Sequence, residues 1–200
     1  MRQVGNNWRR GIRSLQSLRI ITLPSARIVG HWAFYGCEAL TSVKFSNELE
    51  RFDMGAFSNC TSLERIIIPL KDGMITDDRI FKGCKNFKRI DLVEGGELRE
   101  TIAALHFEEW RKDMSEEINS INLNLPNTAG GWYNDIQDAG EKALVIRRWI
   151  RSVLDRMIHY KAEHQRVLDV AGTTLVLALP RDIVMKNILS FLELPSYTLE

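Results

Sequence analysis

The sequence predicts an α/β chain: a short solenoid of about four parallel strands over residues 1–97, followed by an α-helical module over 98–200. Three observations lead there. The stretch Ala33-Phe34-Tyr35-Gly36-Cys37-Glu38-Ala39-Leu40-Thr41-Ser42-Val43-Lys44-Phe45 returns 23 residues later as Ala56-Phe57-Ser58-Asn59-Cys60-Thr61-Ser62-Leu63-Glu64-Arg65-Ile66-Ile67-Ile68. It returns again, 24 residues on, as Ile80-Phe81-Lys82-Gly83-Cys84-Lys85-Asn86-Phe87-Lys88-Arg89-Ile90-Asp91-Leu92. Inside each copy the apolar residues alternate with period two, which suits a short half-buried strand. From Glu97 the period changes to 3.6, the mark of amphipathic helices.

The repeating pattern, A-F-x-x-C-x-x-L-x-x-I-x-I/F-P, resembles the BspA-like leucine-rich repeat, a 23-residue variant common in protists and microalgae, some with a helical tail. The resemblance covers roughly residues 12–97. It departs from the pattern at Ser46 and Val93, where proline is usual, and at Gly11-Ile12-Arg13-Ser14-Leu15, a degenerate first box. It implies a non-catalytic protein-interaction module whose concave strand face binds. The same stacking follows from the residues alone. One such strand cannot bury its apolar face, so neighbouring copies must share a continuous core.

In chain order, residues 1–13 carry Arg2, Arg9, Arg10 and Arg13 with no acid, and Trp8 among them. Two readings stand: a worn first repeat that caps the core with Trp8, or a basic arm for nucleic acid, an acidic partner or nuclear import. Next come the columns. Leu18, Leu40, Leu63 and Phe87 form one, Ile21, Val43, Ile66 and Ile90 a second, and Leu23, Phe45, Ile68 and Leu92 a third. Phe34, Phe57 and Phe81 plug the opposite side beneath helical or turn segments. Cys37, Cys60 and Cys84 hold one repeat position, so they read as a packing column rather than a disulfide or zinc set.

With the columns inward, Ile20, Thr22, Ser42, Lys44, Arg65, Ile67, Arg89 and Asp91 point outward on the concave face. Three bases against one acid leave it at +2, which suits another protein presenting an acidic peptide segment, held through Arg65 and Arg89. A face of a few hundred Å2 at most falls below the roughly 800 Å2 per partner of a standard interface. The loop Pro69–Asp78 holds Asp72, Asp77 and Asp78, but its spacing is not that of a calcium loop, and Asp72-Gly73 is turn chemistry.

Leu98, Ile102, Leu105, Trp110, Met114, Ile118 and Ile121 predict a helix over about 98–122. Residues 123–138, with Pro126, Gly130 and Gly131, read as a loop. Ile146, Ile150, Val153, Met157, Tyr160, His164, Val167 and Ala171 predict a helix–helix seam on one long helix over about 141–177, or on two broken at Gly172. The helices pair as an antiparallel hairpin closing the last repeat. Arg147, Arg148 and Arg151 around Trp149 read as a solvated face. The tail Leu179–Leu194 resembles the opening of an F-box, with Asp182 where glutamate is usual and a one-residue shift before Ile188-Leu189. That resemblance implies a ubiquitin-ligase adaptor. A structural, self-associating piece of a longer repeat protein is a third reading.

Composition narrows the classes further. At 44% hydrophobic and 26% charged residues, the chain is of ordinary globular type, and a net charge of +1 argues against nucleic acid as a partner. No run of eighteen apolar residues is present and the first residues lack a leader's apolar stretch, so an intracellular, cytoplasmic protein without a membrane partner is expected. No nucleophile–base set, phosphate-binding glycine loop or metal spacing occurs, so no catalysis, metal or cofactor is expected.

Overall fold

The alternation of each repeat becomes a short parallel strand, and a second, narrower row of strands forms where no alternation marks it. The computed structural model describes residues 7–8, 17–93, 102–105, 107–126 and 134–178, the side chains of 7–8, 134–139 and 176–178 excepted. In chain order the strands are β1 (Asn7–Trp8), β2 (Ile20–Leu23), β3 (Ile28–Val29), β4 (Ser42–Phe45), β5 (Arg51–Phe52), β6 (Arg65–Ile68) and β7 (Arg89–Leu92). The helices are α1 (Glu108–Asn124) and α2 (Asn134–Ala178). Close packing divides the chain into two units, Met1–Val93 with Asn119–Arg151, and Glu94–Ile118 with Ser152–Glu200.

In the first unit, β2, β4, β6 and β7 form a four-stranded parallel sheet in that order. Its register sets Ile21 beside Val43, Val43 beside Ile66, and Ile66 beside Ile90. That is the predicted column. β1, β3 and β5 form the second parallel sheet, extended by a bridge from Phe52 to Ile75. The coils of β2 and β4 therefore carry two strands each, and the coil of β6 a strand and a bridge. The first strand of the narrow sheet comes from the worn repeat, where Asn7 pairs with Ile28 and Trp8 with Val29.

The core lies between the sheets and the boxes. Leu40, Val43, Phe45, Leu63, Ile66 and Ile68 are buried. Phe34 stacks on Phe57 at 5.1 Å, and Phe57 on Phe81 at 6.0 Å, the rings nearly parallel in both pairs. The three cysteines are buried and none is in a disulfide, as the packing column requires. The thiol of Cys60 donates to the carbonyl of Phe34 at 2.9 Å, and that of Cys84 to the carbonyl of Phe57 at 3.0 Å. A hydrogen bond with Cys84, together with burial, pushes the Cys60 thiol far above its usual range.

The boxes are also tied from coil to coil. The amides of Phe34 and Gly36 donate to the carbonyls of Ala56 and Ser58, and those of Phe57 and Asn59 to Ile80 and Lys82. Gly36, Asn59 and Gly83 hold one turn position at φ 68°, 62° and 73°. Only glycine or asparagine occupies such a left-handed position cheaply.

Helical residues 119–124 and 134–151 pack within this first unit. Ile121, Ala143, Ile146, Trp149 and Ile150 are buried. The Asn122 side-chain oxygen accepts from the Ile90 amide at 2.8 Å. Lys142, 1% exposed, donates to the carbonyls of Cys84 and Phe87 at 3.0 Å each. Arg147 pairs with Asp78, and Arg151 with Asp72 at 3.3 Å. The cluster around Trp149 is a solvated face only in part: Arg148 and Arg151 are exposed, but Trp149 is buried and Arg147 and Arg151 are turned to acids of the 69–78 loop.

In the second unit α1 and α2 run antiparallel. Trp110 stacks on Tyr160 at 5.2 Å, while Asp113 accepts from Tyr160 at 2.6 Å and from Arg156. Arg156 also reaches Glu117 at 3.3 Å. Met114, Val153, Met157, His164 and Leu168 are buried here.

Three helical expectations need correction. The helix predicted over 98–122 is interrupted: residues 102–104 are helical, Leu105 leaves the helix with its amide donating to the Ile102 carbonyl and its own carbonyl held by Arg111, and α1 begins at Glu108. Residues 134–138, read as loop, open α2, which then runs unbroken through a buried Gly172. A single glycine costs a helix about 1 kcal/mol and does not stop one held by packing. Val167 is 39% exposed and Leu168 takes the buried place. After His164 the buried row steps by four to Leu168 and Gly172, a straight helix drifting off a strict heptad.

Candidate protein-binding face

Strand register, not any single residue, builds this face. Ile20, Ser42, Arg65 and Arg89 are side by side across the sheet, and so are Thr22, Lys44 and Ile67, with Asp91 beside Ile67. Their neighbours along each strand point into the core, so all eight side chains share the opposite surface. Ile20, Thr22, Lys44 and Arg89 are exposed, and Ser42, Arg65, Ile67 and Asp91 are half-buried.

The two arginines do not stand free. Asp91 lies two residues after Arg89 on the same strand face and one strand over from Arg65. Arg89 donates to it at 3.1 Å, and Arg65 donates to the same carboxylate from the other side. Both side chains remain substantially exposed, at 43% for Arg65 and 59% for Arg89, while Asp91 is 22% exposed. Sequence reasoning counted these charges but did not pair them. The result is a fork of two guanidinium groups preset around one carboxylate, with Lys44 and two isoleucines beside it. Such a fork suits planar, bidentate recognition of a further carboxylate.

A family model, the BspA type leucine-rich repeat region (6 copies), matches residues 12–125, more than half of the chain. The chain belongs to the BspA-type leucine-rich repeat family. The match runs past β7 and through α1. No curated protein and no solved structure matches the chain.

Other residues singled out from the sequence of this BspA-type chain fall elsewhere. Asp72 accepts from the Gly73 amide at 2.8 Å, where Gly73 has φ 70°, as turn chemistry demands. Burial raises the Asp77 carboxyl, but hydrogen bonds from the Arg79 side chain and amide outweigh it and hold the group below the usual range. Among the described residues no group of three or more His, Cys, Asp or Glu is arranged to hold a metal, and no helix is long and apolar enough to cross a membrane. The basic residues Arg2, Arg9, Arg10 and Arg13 and the F-box-like stretch 179–194 lie outside the described residues.

Asn122 and Lys142 were not singled out. For Lys142 a signal existed: it stands four residues before Ile146, on the backward extension of the seam, where a lysine is out of place unless it has buried acceptors.

Proposed function

We propose that the chain is a non-catalytic protein-interaction module whose strand face, centred on Arg65 and Arg89, takes an acidic peptide segment of another protein. The observation that carries this reading is the shared carboxylate of Asp91, which holds both guanidinium groups in position to receive a ligand carboxylate. Membership of a repeat family that generally serves as a binding scaffold supports it. Residues 1–97 supply the face, and the helical residues that follow finish the array.

The area limits the strength of this contact. Four strands about 4.8 Å apart, each four residues at about 3.3 Å, cover roughly 250 Å2. Standard interfaces bury roughly 800 Å2 on each partner. The acidic segment is therefore held weakly, with specificity from charge and register.

The test is retention of partner proteins and of a glutamate-rich peptide on the immobilised whole chain. Arg65→Glu with Arg89→Glu abolishes retention of both. Asp91→Ala, which releases both guanidinium groups from that position, weakens the peptide several-fold; at about 1.4 kcal/mol per tenfold this is a change of about 1 kcal/mol. Unchanged retention by the double variant would exclude this face.

A further inference from the structure

The fork on the strand face is only half used. Arg65 and Arg89 both reach Asp91 through Nε, and among the described residues the paired amino groups at the far end of each guanidinium engage no partner. Lys44 is exposed and, among the described residues, forms no ion pair. Ser42, half-buried, stands beside Arg65 in register and two residues before Lys44 on its own strand. Lys44 is one strand across from Arg65 and two residues along, roughly 8 Å between their α-carbons. Two long side chains close that gap around a single anion.

Lys44, Arg65 and Arg89 against Asp91 leave this corner at +2. A ligand carboxylate brings one negative charge and two oxygens, which answers half of that. A phosphorylated serine or threonine brings about −1.5 to −2 at neutral pH and three strong acceptor oxygens. We propose that Ser42, Lys44, Arg65 and Arg89 form a phosphate-binding site, which takes a phosphorylated serine or threonine in the acidic segment of the partner protein. Such a site rests on the acidic-peptide reading and deepens it by naming the central group.

The donors match the oxygens. The two guanidinium ends, held by the shared carboxylate, offer paired N–H groups to two of them, and the Lys44 ammonium, a rotatable point charge, serves the third. The Ser42 hydroxyl adds one more donor. Asp91 is 22% exposed and already shared by two Nε groups, so little of its charge is left to repel an anion. Phosphate also answers the size of the face. Over roughly 250 Å2 apolar contact holds little, whereas charge-assisted hydrogen bonds are about twice as strong as neutral ones. Arginine clusters are a recurrent means of reading phosphorylated peptides. Binding then follows the phosphorylation state of the partner.

Fluorescence anisotropy of the whole chain with three labelled peptides tests it, one acidic sequence carrying serine, glutamate or phosphoserine at its centre. The phosphoserine peptide binds about tenfold or more tighter than the glutamate peptide, and the serine peptide is weakest. Lys44→Ala, at an exposed position that leaves folding intact, weakens the phosphoserine peptide several-fold more than the glutamate peptide. Arg65→Glu with Arg89→Glu abolishes binding of both. Equal affinity for phosphoserine and glutamate would overturn the phosphate site and leave the acidic-peptide reading standing. No binding of any peptide would overturn both. A phosphoserine preference unmoved by Lys44→Ala or by the arginine double variant would place the phosphate elsewhere and overturn the site. Vesicles displaying a phosphoinositide, if held as tightly as the phosphoserine peptide, would make the ligand a lipid headgroup and overturn it too.

Discussion

In the coils one contact is made again and again: Phe34 on Phe57 and Phe57 on Phe81, then Cys60 to the Phe34 carbonyl and Cys84 to the Phe57 carbonyl. In the pair of helices no contact is made twice. Asp113 gathers Tyr160 and Arg156, Arg156 reaches on to Glu117, and Trp110 lies on Tyr160. The coils are held by buried apolar columns, each residue contributing because its copies above and below do. The helix pair adds half-exposed, charged, one-off contacts to an apolar seam. Periodic burial is strong and insensitive to solvent conditions, whereas exposed charge pairs are worth little each and vary with pH and salt.

That contrast can be broken most forcefully at Phe57, whose ring meets those of Phe34, Phe45, Phe52 and Phe81. Phe57→Ala should cost about 3–5 kcal/mol in denaturant unfolding, and Phe34→Ala, at the outer end of the stack, clearly less. Equal losses would mean that the coils do not share one column.

Lys142 stands between the two kinds of contact, being charged and one-off yet buried against the last coil. Lys142→Ala removes two charge-assisted hydrogen bonds and leaves a void, with an expected loss of about 2–4 kcal/mol. A neutral result would mean that the end of the array needs no polar cover.

The smallest effect belongs to the helix pair. Hydrogen bonds from Tyr160 first and Arg156 second hold the Asp113 carboxyl below the usual carboxylate range. A lowered folded-state value stabilises above the unfolded value near 3.9, and that stability is lost as pH falls through the folded value. Tyr160→Phe should therefore cost under about 1 kcal/mol at neutral pH, and the gap from wild type should close in acid. A gap that persists unchanged at acid pH would assign the effect of Tyr160 to packing on Trp110 instead.

The coils were legible in the sequence because repetition is itself a signal: three copies of one box fixed the columns, the register and the outward row. The narrow sheet was not, since strands of two residues such as Ile28–Val29 are too short to display an alternation. Its only trace is the recurrence of Ile28-Val29, Arg51-Phe52 and Met74-Ile75 at the repeat interval. Helix ends were misplaced where local spacing continued past a turn at Leu105 or began in polar residues at Asn134. The pairing of Arg65 and Arg89 with Asp91, and of Arg147 with Asp78, had no local signal. Charge pairs between distant strands or loops leave no periodic mark, so the outward row was readable and its internal neutralisation was not.

The cysteine column has a chemical use beyond packing. Cys37, Cys60 and Cys84 sit one to a coil, each sealed from solvent, and the thiols of Cys60 and Cys84 are tethered to the coil before. A thiol in that state is inert until its coil opens. The protein therefore carries a native reporter in three successive coils, and the order in which the thiols react with an alkylating reagent reads out the order in which the coils come apart.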